Sequence, residues 1–291
     1  MTAENYRYAD GKPQAKLVNY TTVRTPELKF ISKVIDESTG TILVDSLREK
    51  FSFGDDDHLE NCLSFLWALD FIERPEDRVI EQINNDVFPN VSFEIKLLHH
   101  IHQQQYPQDH LSAVQDIAFE VAPKTLERDL LITYLNRKIE SINKWNNEKV
   151  NMWYKLYRGI GVIDYIDSRE IVLNPSRALL YELLETFERT ENSHDFGEAM
   201  TWIEQYFMTV LSDRPGTAQL HRGVTDTLQN LIDDEIVEVR GMADAQEEVK
   251  LPPTHSRTET PAIKEFSLNG LPSTKSAKYR YPLEQFTEVS Q

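Results

Sequence analysis

The segment Trp153–Leu173, WYKLYRGIGVIDYIDSREIVL, joins an apolar helix pattern to two short apolar runs. These runs, Val162–Ile166 and Glu170–Leu173, are too short for helices, and the polar triplet Asp167–Arg169 separates them as in a turn. Gly159 lies where the helix pattern stops, and glycine often ends a helix in the left-handed conformation. The segment therefore predicts a helix that leads directly into a β-hairpin.

The same order occurs at two other places in the chain. A helix pattern runs into short apolar segments in LWALDFIERPEDRVIEQI and again in LQNLIDDEIVEVRGMADAQEEVKL, where Ile236–Arg240 and Glu248–Leu251 are the expected hairpin arms. The three copies are spaced by roughly 80–90 residues, as expected for repeated structural units. Helices are predicted before each hairpin. In the first copy they cover 26–40, Asp45–Phe51 and a stretch that begins at Gly54. In the second copy they cover Phe93–Gln104, Asp109–Val121, Pro123–Glu140 and Asn147–Arg158, and the third copy has three helices between Pro175 and Asp233.

This succession of helices and a hairpin resembles tandem winged-helix proteins, whose units each contain a winged helix-turn-helix. The resemblance covers about residues 20–252 and implies a mostly α fold with small β-hairpins, of the α+β class. It implies three tandem winged-helix-like units with flexible N- and C-terminal arms. The expected parts are a polar N-terminal arm over 1–25, winged helix 1 over 26–88, an enlarged winged helix 2 over 89–174, winged helix 3 over 175–252 and a C-terminal tail over 253–291.

The C-terminal tail is rich in Pro, Ser and Thr and has no sustained apolar period. Such a composition predicts a segment that is flexible on its own. Two stretches within it, IKEFSL and KYRYPLEQF, are candidates for an added strand or for an anchor on a partner.

The charge of the chain limits which partners it can meet. The 291 residues include 48 acidic and 31 basic ones, and the formal net charge of −17 repels a polyanion unless basic groups gather locally. Both arms are slightly basic: residues 1–25 carry four Lys/Arg against two Asp/Glu, and residues 253–291 carry five against four. The acidic interior is typical of proteins from salt-adapted archaea and also of surfaces that meet basic protein partners, and both explanations stay open.

Composition also indicates the compartment. An apolar content of 40% is enough for globular domains, and no apolar run approaches the roughly 18–20 residues that a bilayer crossing needs. The N-terminal stretch lacks the apolar core of a signal peptide. Cys62 is the single cysteine, so no intramolecular disulfide is possible, and we expect a cytoplasmic protein without membrane contact.

No motif predicts catalysis, a metal or a cofactor. The stretch YRGIG lacks the Lys-Ser/Thr of a nucleotide-binding loop and follows a helix, whereas phosphate-binding loops follow a strand. The histidines of HHIHQQQYPQDH lack the Cys or HExxH spacing that completes a metal shell. The acids of DDDHLE are typical of a helix N-terminus, and Cys62 lies on an apolar stripe. With no serine elbow or paired-acid motif, we expect no enzyme activity.

The resemblance to winged-helix proteins implies that a third helix enters the major groove, where it needs Arg, Lys, Asn or Gln. The third helix of the first unit, Asp55–Leu69, has four acids and no Lys or Arg, so it is a poor candidate. The last two helices of the second unit are rich in basic residues, including Lys124 and Arg128, although acids are interleaved with them. The candidate DNA-binding residues are Lys144, Asn147, Lys149, Asn151, Lys155, Arg158 and, at the wing tip, Arg169; the secondary candidates are Arg137, Lys138, Arg222 and Arg240.

Two functions from different classes follow from these observations. The first is a non-catalytic, DNA-associated regulator or accessory factor, in a defence or chromosome-associated complex, that contacts double-stranded DNA mainly through the second unit, with the slightly basic arms as additional contacts. The alternative is an acidic assembly subunit whose winged helices dock partner proteins or a second copy, as in condensin accessory subunits and membrane-sorting complexes. Net charge favours the scaffold, and the common use of the fold favours DNA.

Overall fold

The computed structural model describes residues 16–76, 78–83, 87–105, 109–139, 144–165, 169–212, 219–241, 249–252, 262–271 and 281. Ten α-helices and twelve short strands lie within these ranges. The mostly helical α+β class expected from the sequence is confirmed. Within the same ranges, no helix has both the length and the apolar character that a membrane crossing requires.

The first unit has the order helix, strand, helix, helix, strand, strand. Its elements are α1 (Thr25–Glu37), β1 (Thr41–Leu43), α2 (Val44–Lys50), α3 (Asp56–Ala68), β2 (Ile72–Glu76) and β3 (Val79–Gln82). The strands form an antiparallel sheet in the order β1-β3-β2. Pro26 fits the first turn of α1, where no N–H partner is required, and Asp55 caps α3 by accepting from the His58 N–H (2.9 Å). The helix-to-hairpin order predicted here is confirmed.

The second unit repeats this order after one additional helix. Its elements are α4 (Phe93–His102), α5 (His110–Val121), β4 (Thr125–Glu127), α6 (Arg128–Lys138), α7 (Asn147–Ile160), β5 (Asp164–Tyr165) and β6 (Glu170–Val172). The sheet order β4-β6-β5 matches that of the first unit. The helix predicted over Pro123–Glu140 was wrong at its start, because Thr125–Glu127 pairs with β6 and the helix begins only at Arg128. A strand of three residues is too short to have a periodicity that distinguishes it from a helix.

Helix α7 and the two strands after it account for the segment Trp153–Leu173, with one correction. The helix ends at Ile160 and is capped by Gly161, which has a φ of +94° and donates its N–H to the carbonyls of Tyr157 and Arg158, both at 3.0 Å. This is the left-handed arrangement that favours glycine. The expectation that Gly159 ends the helix was therefore wrong, and Gly159 lies inside it.

The third unit has its helices where the sequence predicts them, but its strands pair differently. Its elements are α8 (Arg177–Glu191), α9 (Phe196–Tyr206), β7 (Leu211–Ser212), β8 (Gln219–Leu220), α10 (Arg222–Asp233), β9 (Val237–Arg240), β10 (Val249–Lys250), β11 (Ala262–Ile263) and β12 (Glu265–Leu268). The expected pairing of Ile236–Arg240 with Glu248–Leu251 was wrong: β9 pairs with β12, and β10 pairs with β8 and β11. Each of the four residues of β9 pairs with a residue of β12.

The ordered fold extends beyond the predicted limits of residues 26 and 252. A short 3₁₀ turn at Leu17–Asn19 packs against α5 and α7, and the apolar side chains around it are buried; these are Leu17, Val18, Tyr20 and Val23. In the predicted tail, IKEFSL supplies β12, and Tyr281 of KYRYPLEQF is buried. The rest of the two predicted arms, 1–15, 253–261, 272–280 and 282–291, lies outside the described residues.

A polar junction joins all three units. The Lys29 ammonium group of α1 lies 2.8 Å from the buried Glu94 carboxylate of α4. The Ser92 N–H donates to Glu182 Oε1 of α8 (2.6 Å), while the Tyr281 hydroxyl donates to Glu182 Oε2 (2.5 Å) and accepts from Ser92 Oγ (3.1 Å). Burial and the charge of Glu182 raise the pKa of Tyr281 well above its ordinary value. Residues far apart in the chain thus fix the units to one another.

The start of α10 is a second contact between units. His221 Nε2 donates to the Ala122 carbonyl (2.9 Å), and its Nδ1 accepts from the Gly223 N–H (3.1 Å), which requires the neutral ring. A Cβ atom at Gly223 would lie 1.8 Å from the Leu173 carbonyl oxygen, so only glycine permits this close approach. The N-terminal end of α10 is therefore held against the second unit.

Candidate nucleic-acid interface

Helix α7 exposes only a narrow strip of its surface. Eight of its fourteen residues are buried, and the helix packs against α1, α4, α6 and the Leu17–Asn19 turn. The remaining residues are Asn147, Glu148, Lys149, Asn151, Lys155 and Arg158. At about 100° per residue, all of these except Lys149 fall within an arc of about 100°. The structure therefore brings four of the seven predicted DNA-binding residues, Asn147, Asn151, Lys155 and Arg158, onto one strip.

Three cations from different elements form what we call the Lys155 cluster: Lys155 on α7, Arg24 just before α1 and Arg128 at the start of α6. Partial burial and the charges of Arg24 and Arg128 lower the pKa of the Lys155 ammonium group. The Arg128 guanidinium lies over the Tyr154 ring, 5.2 Å from its centroid, and Arg24 donates to the Thr21 carbonyl (2.8 Å). Both guanidinium groups are thus held near the exposed lysine.

A second cationic group lies nearer the start of α7. Burial and the charge of Lys16 lower the pKa of the Lys149 ammonium group, which donates to the Lys144 carbonyl (3.2 Å). Asn146 caps the helix here by accepting from the Lys149 N–H (3.0 Å). Lys149 and Lys155 are six residues apart, or about 9 Å along the helix axis. The two groups of cations therefore lie at neighbouring positions along α7.

In the described part of the chain, none of the salt bridges involves the cations of these two groups; the residues concerned are Lys16, Arg24, Arg128, Lys149 and Lys155. By contrast, several cations of the first unit pair with carboxylates: Lys29 with Glu94, Arg48 with Asp45 and Arg74 with Glu60. Glu148 on the strip and Glu27 near Arg24 reduce the local positive charge without forming such a contact. The interface therefore gathers like charges on a strongly acidic protein.

Helix α1 closes one side of α7. The Thr25 hydroxyl donates to the Leu156 carbonyl (3.0 Å), and both residues are buried. A Cβ atom at Gly159 would lie 2.3 Å from Thr25 Oγ1 and 2.6 Å from Thr25 Cβ, so the absence of a side chain at this position allows α1 to approach. The first unit thus covers part of the surface that the sequence assigned to a groove-reading helix.

The wing contributes one further cation near the Lys155 cluster. Arg169 is exposed, and its carbonyl accepts a hydrogen bond from the Arg128 N–H (3.0 Å). This backbone contact brings the start of β6 beside the start of α6. Residues 166–168 of the predicted wing turn lie outside the described residues.

The secondary candidates have different surroundings from the Lys155 cluster. Lys138 forms an ion pair with Glu120, while Arg137 is exposed on the same helix. Arg222 is half-buried at the start of α10, the end that packs against the second unit. Arg240 is exposed on β9, opposite Glu265 of β12. Lys138 therefore has a carboxylate as its ion-pair partner, and Arg240 has one directly across the sheet.

The histidines singled out in the sequence take part in packing. His99 Nδ1 lies 3.0 Å from the Tyr206 carbonyl, and His100 Nδ1 lies 2.8 Å from the Leu69 carbonyl. Burial lowers the pKa of His99 and favours its neutral form. Cys62 is buried in α3, and burial raises the pKa of its thiol to about 12. Among the described residues, no group of three or more His, Cys, Asp and Glu side chains is arranged to hold a metal ion.

Sequence reasoning placed Arg24 and Lys16 in the slightly basic N-terminal arm and named Arg128 among the basic residues of the second unit, but it included none of the three among the candidate DNA-binding residues. Its signal for the first two was the small positive balance of residues 1–25. Their position beside α7 depends on packing between units, which no local pattern encodes. Comparisons with protein-family models, with curated proteins and with solved structures find no match for this chain.

Proposed function

We propose that this chain is a non-catalytic, DNA-associated regulator or accessory factor that contacts DNA mainly through its second unit. The observation that supports it best is the gathering of Lys155, Arg24 and Arg128, without salt-bridge partners in the described ranges, on a chain of net charge −17. Phosphate groups are the ligands that such a surface attracts, because they replace the missing counter-charges. A cytoplasmic location suits this role, since the chain has a single cysteine, Cys62, which is buried and forms no disulfide.

The charge balance makes the location of the interface important. A protein of net charge −17 is repelled by DNA at long range, so association depends on a local excess of positive charge. The Lys155 cluster and the Lys16, Lys144 and Lys149 group supply that excess along one helix. Low salt strengthens both the attraction at these cations and the repulsion from the rest of the acidic protein. Net binding therefore requires that the cations be concentrated at the interface.

Duplex binding across a salt series tests the proposal. If four or five cations each neutralise one phosphate, the association constant falls about 150- to 500-fold between 50 and 200 mM salt. The double variant Lys155→Glu with Arg24→Glu is expected to lose binding. Its matched control is Lys33→Glu with Lys50→Glu, which changes the net charge equally at exposed positions on α1 and α2. Equal losses in both double variants, or no binding by the unchanged protein at low salt, would refute the proposal.

A second function, an assembly subunit that docks proteins, is favoured by a different observation. The aromatic side chain of Phe53 is 44% exposed and packs on Phe30 and Phe51, with ring centroids 5.4 and 5.5 Å away. Asp55 and Asp57 are exposed close to it in the chain. An apolar group beside acids suits a basic protein partner. No DNA binding, together with a partner that co-purifies at fixed stoichiometry and is lost in Phe53→Asp, would favour this function.

A further inference from the structure

We infer that the ligand of the α7 interface is the phosphate backbone of a DNA duplex, bound without base readout, and not a single strand. This inference rests on the proposed DNA association and adds the class of nucleic acid and the mode of recognition. It follows from what surrounds α7, from the side chains that its exposed strip lacks, and from the spacing of its cations.

The surroundings of α7 exclude deep insertion into a groove. A helix about 10–12 Å in diameter, lying in a major groove about 12 Å wide and 8.5 Å deep, has DNA on both of its flanks. In this chain α1 and α4 pack against α7 in addition to α6 of its own unit. The contact of Thr25 with Gly159 leaves no space between α1 and α7 for a DNA strand. Base edges therefore stay out of reach of most of the helix.

The amides predicted to read bases are poorly placed for that role. Asn147 is exposed in the first turn of α7, but Asn151 on the same strip is only half-exposed. Bidentate recognition of adenine needs an amide that enters the groove and faces the base edge. Lys155 and the guanidinium groups of Arg24 and Arg128 are long enough to reach phosphates from outside the groove.

A single strand is a poor ligand because the aromatic side chains of α7 are buried. Proteins that bind single strands combine a cationic groove with exposed aromatic rings on which bases stack. Trp153, Tyr154 and Tyr157 have exposed fractions of 0, 7 and 0%, and Trp145 before the helix has 4%. Tyr154 is also covered by Arg128. The strip therefore offers charge without a stacking surface.

The spacing of the cations suits the two strands of a duplex. Lys149 and Lys155 are about 9 Å apart along the axis and project about 120° apart around it. Grooves of B-DNA are about 6 and 12 Å wide, so cations with this separation can contact phosphates on facing strands. A rigid duplex holds such phosphates in place, whereas a single strand has to be ordered on binding.

The test compares fluorescence anisotropy of the full chain with three probes at the same low salt: a 30-base-pair duplex, a second duplex of scrambled sequence, and one strand of the first. The two duplexes are expected to bind within about twofold of each other, and the single strand about tenfold more weakly. Lys155→Glu is expected to weaken both duplexes equally, and Asn147→Ala with Asn151→Ala to change neither by more than about twofold.

Each other outcome overturns the inference in a distinguishable way. Equal or tighter binding of the single strand contradicts recognition of a duplex backbone, and so does a preference above about tenfold for one duplex. In either case DNA association still holds if Lys155→Glu reduces binding of the probes. Loss of sequence preference in Asn147→Ala with Asn151→Ala would show base readout. Absence of binding to all three probes overturns the proposed function and the inference with it.

Discussion

Replacing Gly159 by alanine tests how closely α1 and α7 are packed. Two effects of opposite sign compete at this position. Alanine has a higher helix propensity than glycine by about 1 kcal/mol, so in an isolated helix the change stabilises. In this fold the new methyl group would lie 2.3 Å from Thr25 Oγ1 and 2.6 Å from Thr25 Cβ, against an ordinary carbon–carbon contact of about 3.5–4.0 Å.

The packing effect is expected to be the larger one. Rotating Thr25 does not relieve the contact with its Cβ atom, so α1 has to move away by about 1 Å to restore an ordinary distance. Such overpacking costs about 1–3 kcal/mol, and the movement also strains the buried hydrogen bond from Thr25 to the Leu156 carbonyl, which contributes about 1 kcal/mol. After subtraction of the helix propensity, Gly159→Ala is expected to lower the free energy of unfolding by about 1–3 kcal/mol.

Urea-induced unfolding, followed by circular dichroism, measures this change as a lower midpoint with an unchanged slope. The control is Asn230→Ala on α10, which is exposed and is expected to change the free energy of unfolding by about 0.5 kcal/mol or less. A rise of about 1 kcal/mol for Gly159→Ala would mean that only helix propensity acts. In that case α1 does not lie against α7, and the exclusion of groove insertion fails as well.

Three other predictions concern contacts between units. Gly223→Ala is expected to destabilise more than Gly159→Ala, because the added methyl group meets the backbone oxygen of Leu173 at 1.8 Å; thermal unfolding will show whether the order is reversed. Tyr281→Phe removes a hydrogen bond to the Glu182 carboxylate and is expected to cost about 1.5–3 kcal/mol in urea unfolding, and an unchanged midpoint would contradict the junction. Burial lowers the pKa of His221, so its neutral form is favoured in the folded state and stability is expected to fall as the pH drops below the unfolded value of about 6.5. Stability curves from pH 8 to 5 test this, since His221→Asn is expected to weaken the dependence.

Much of the helical fold could be predicted because its helices carry long amphipathic patterns. The stripe of α3 and the caps at its start follow directly from residues such as Asp55 and Leu63. The short strands were harder to predict. Strands β4 and β10 have three and two residues, too few for an alternating pattern. The partner of β9 is β12, and the 24 residues 241–264 separate the two strands in the chain.

The candidate site could be predicted only in part, for a related reason. Lys155 and Lys149 are visible in the sequence because they share one helix. Arg24 joins them through the packing of α1 on α7, which depends on Thr25 and Gly159, residues 134 positions apart. A pattern within one helix carries information about that helix and its buried side, whereas contacts between units depend on the shapes of both surfaces.

The polar junction also has a consequence for the order in which the chain folds. Ser92 and Tyr281 are 189 residues apart, and Glu182 is 99 residues from Tyr281. At a synthesis rate of about 5–20 residues per second, Tyr281 is added about 10–40 s after Ser92, long after the helices of the first two units have had time to form. During that interval Glu182 and Ser92 are without the phenol that later joins them. A nascent chain that stops before residue 281 therefore lacks this contact between the second and third units, which can form only after Tyr281 has been translated.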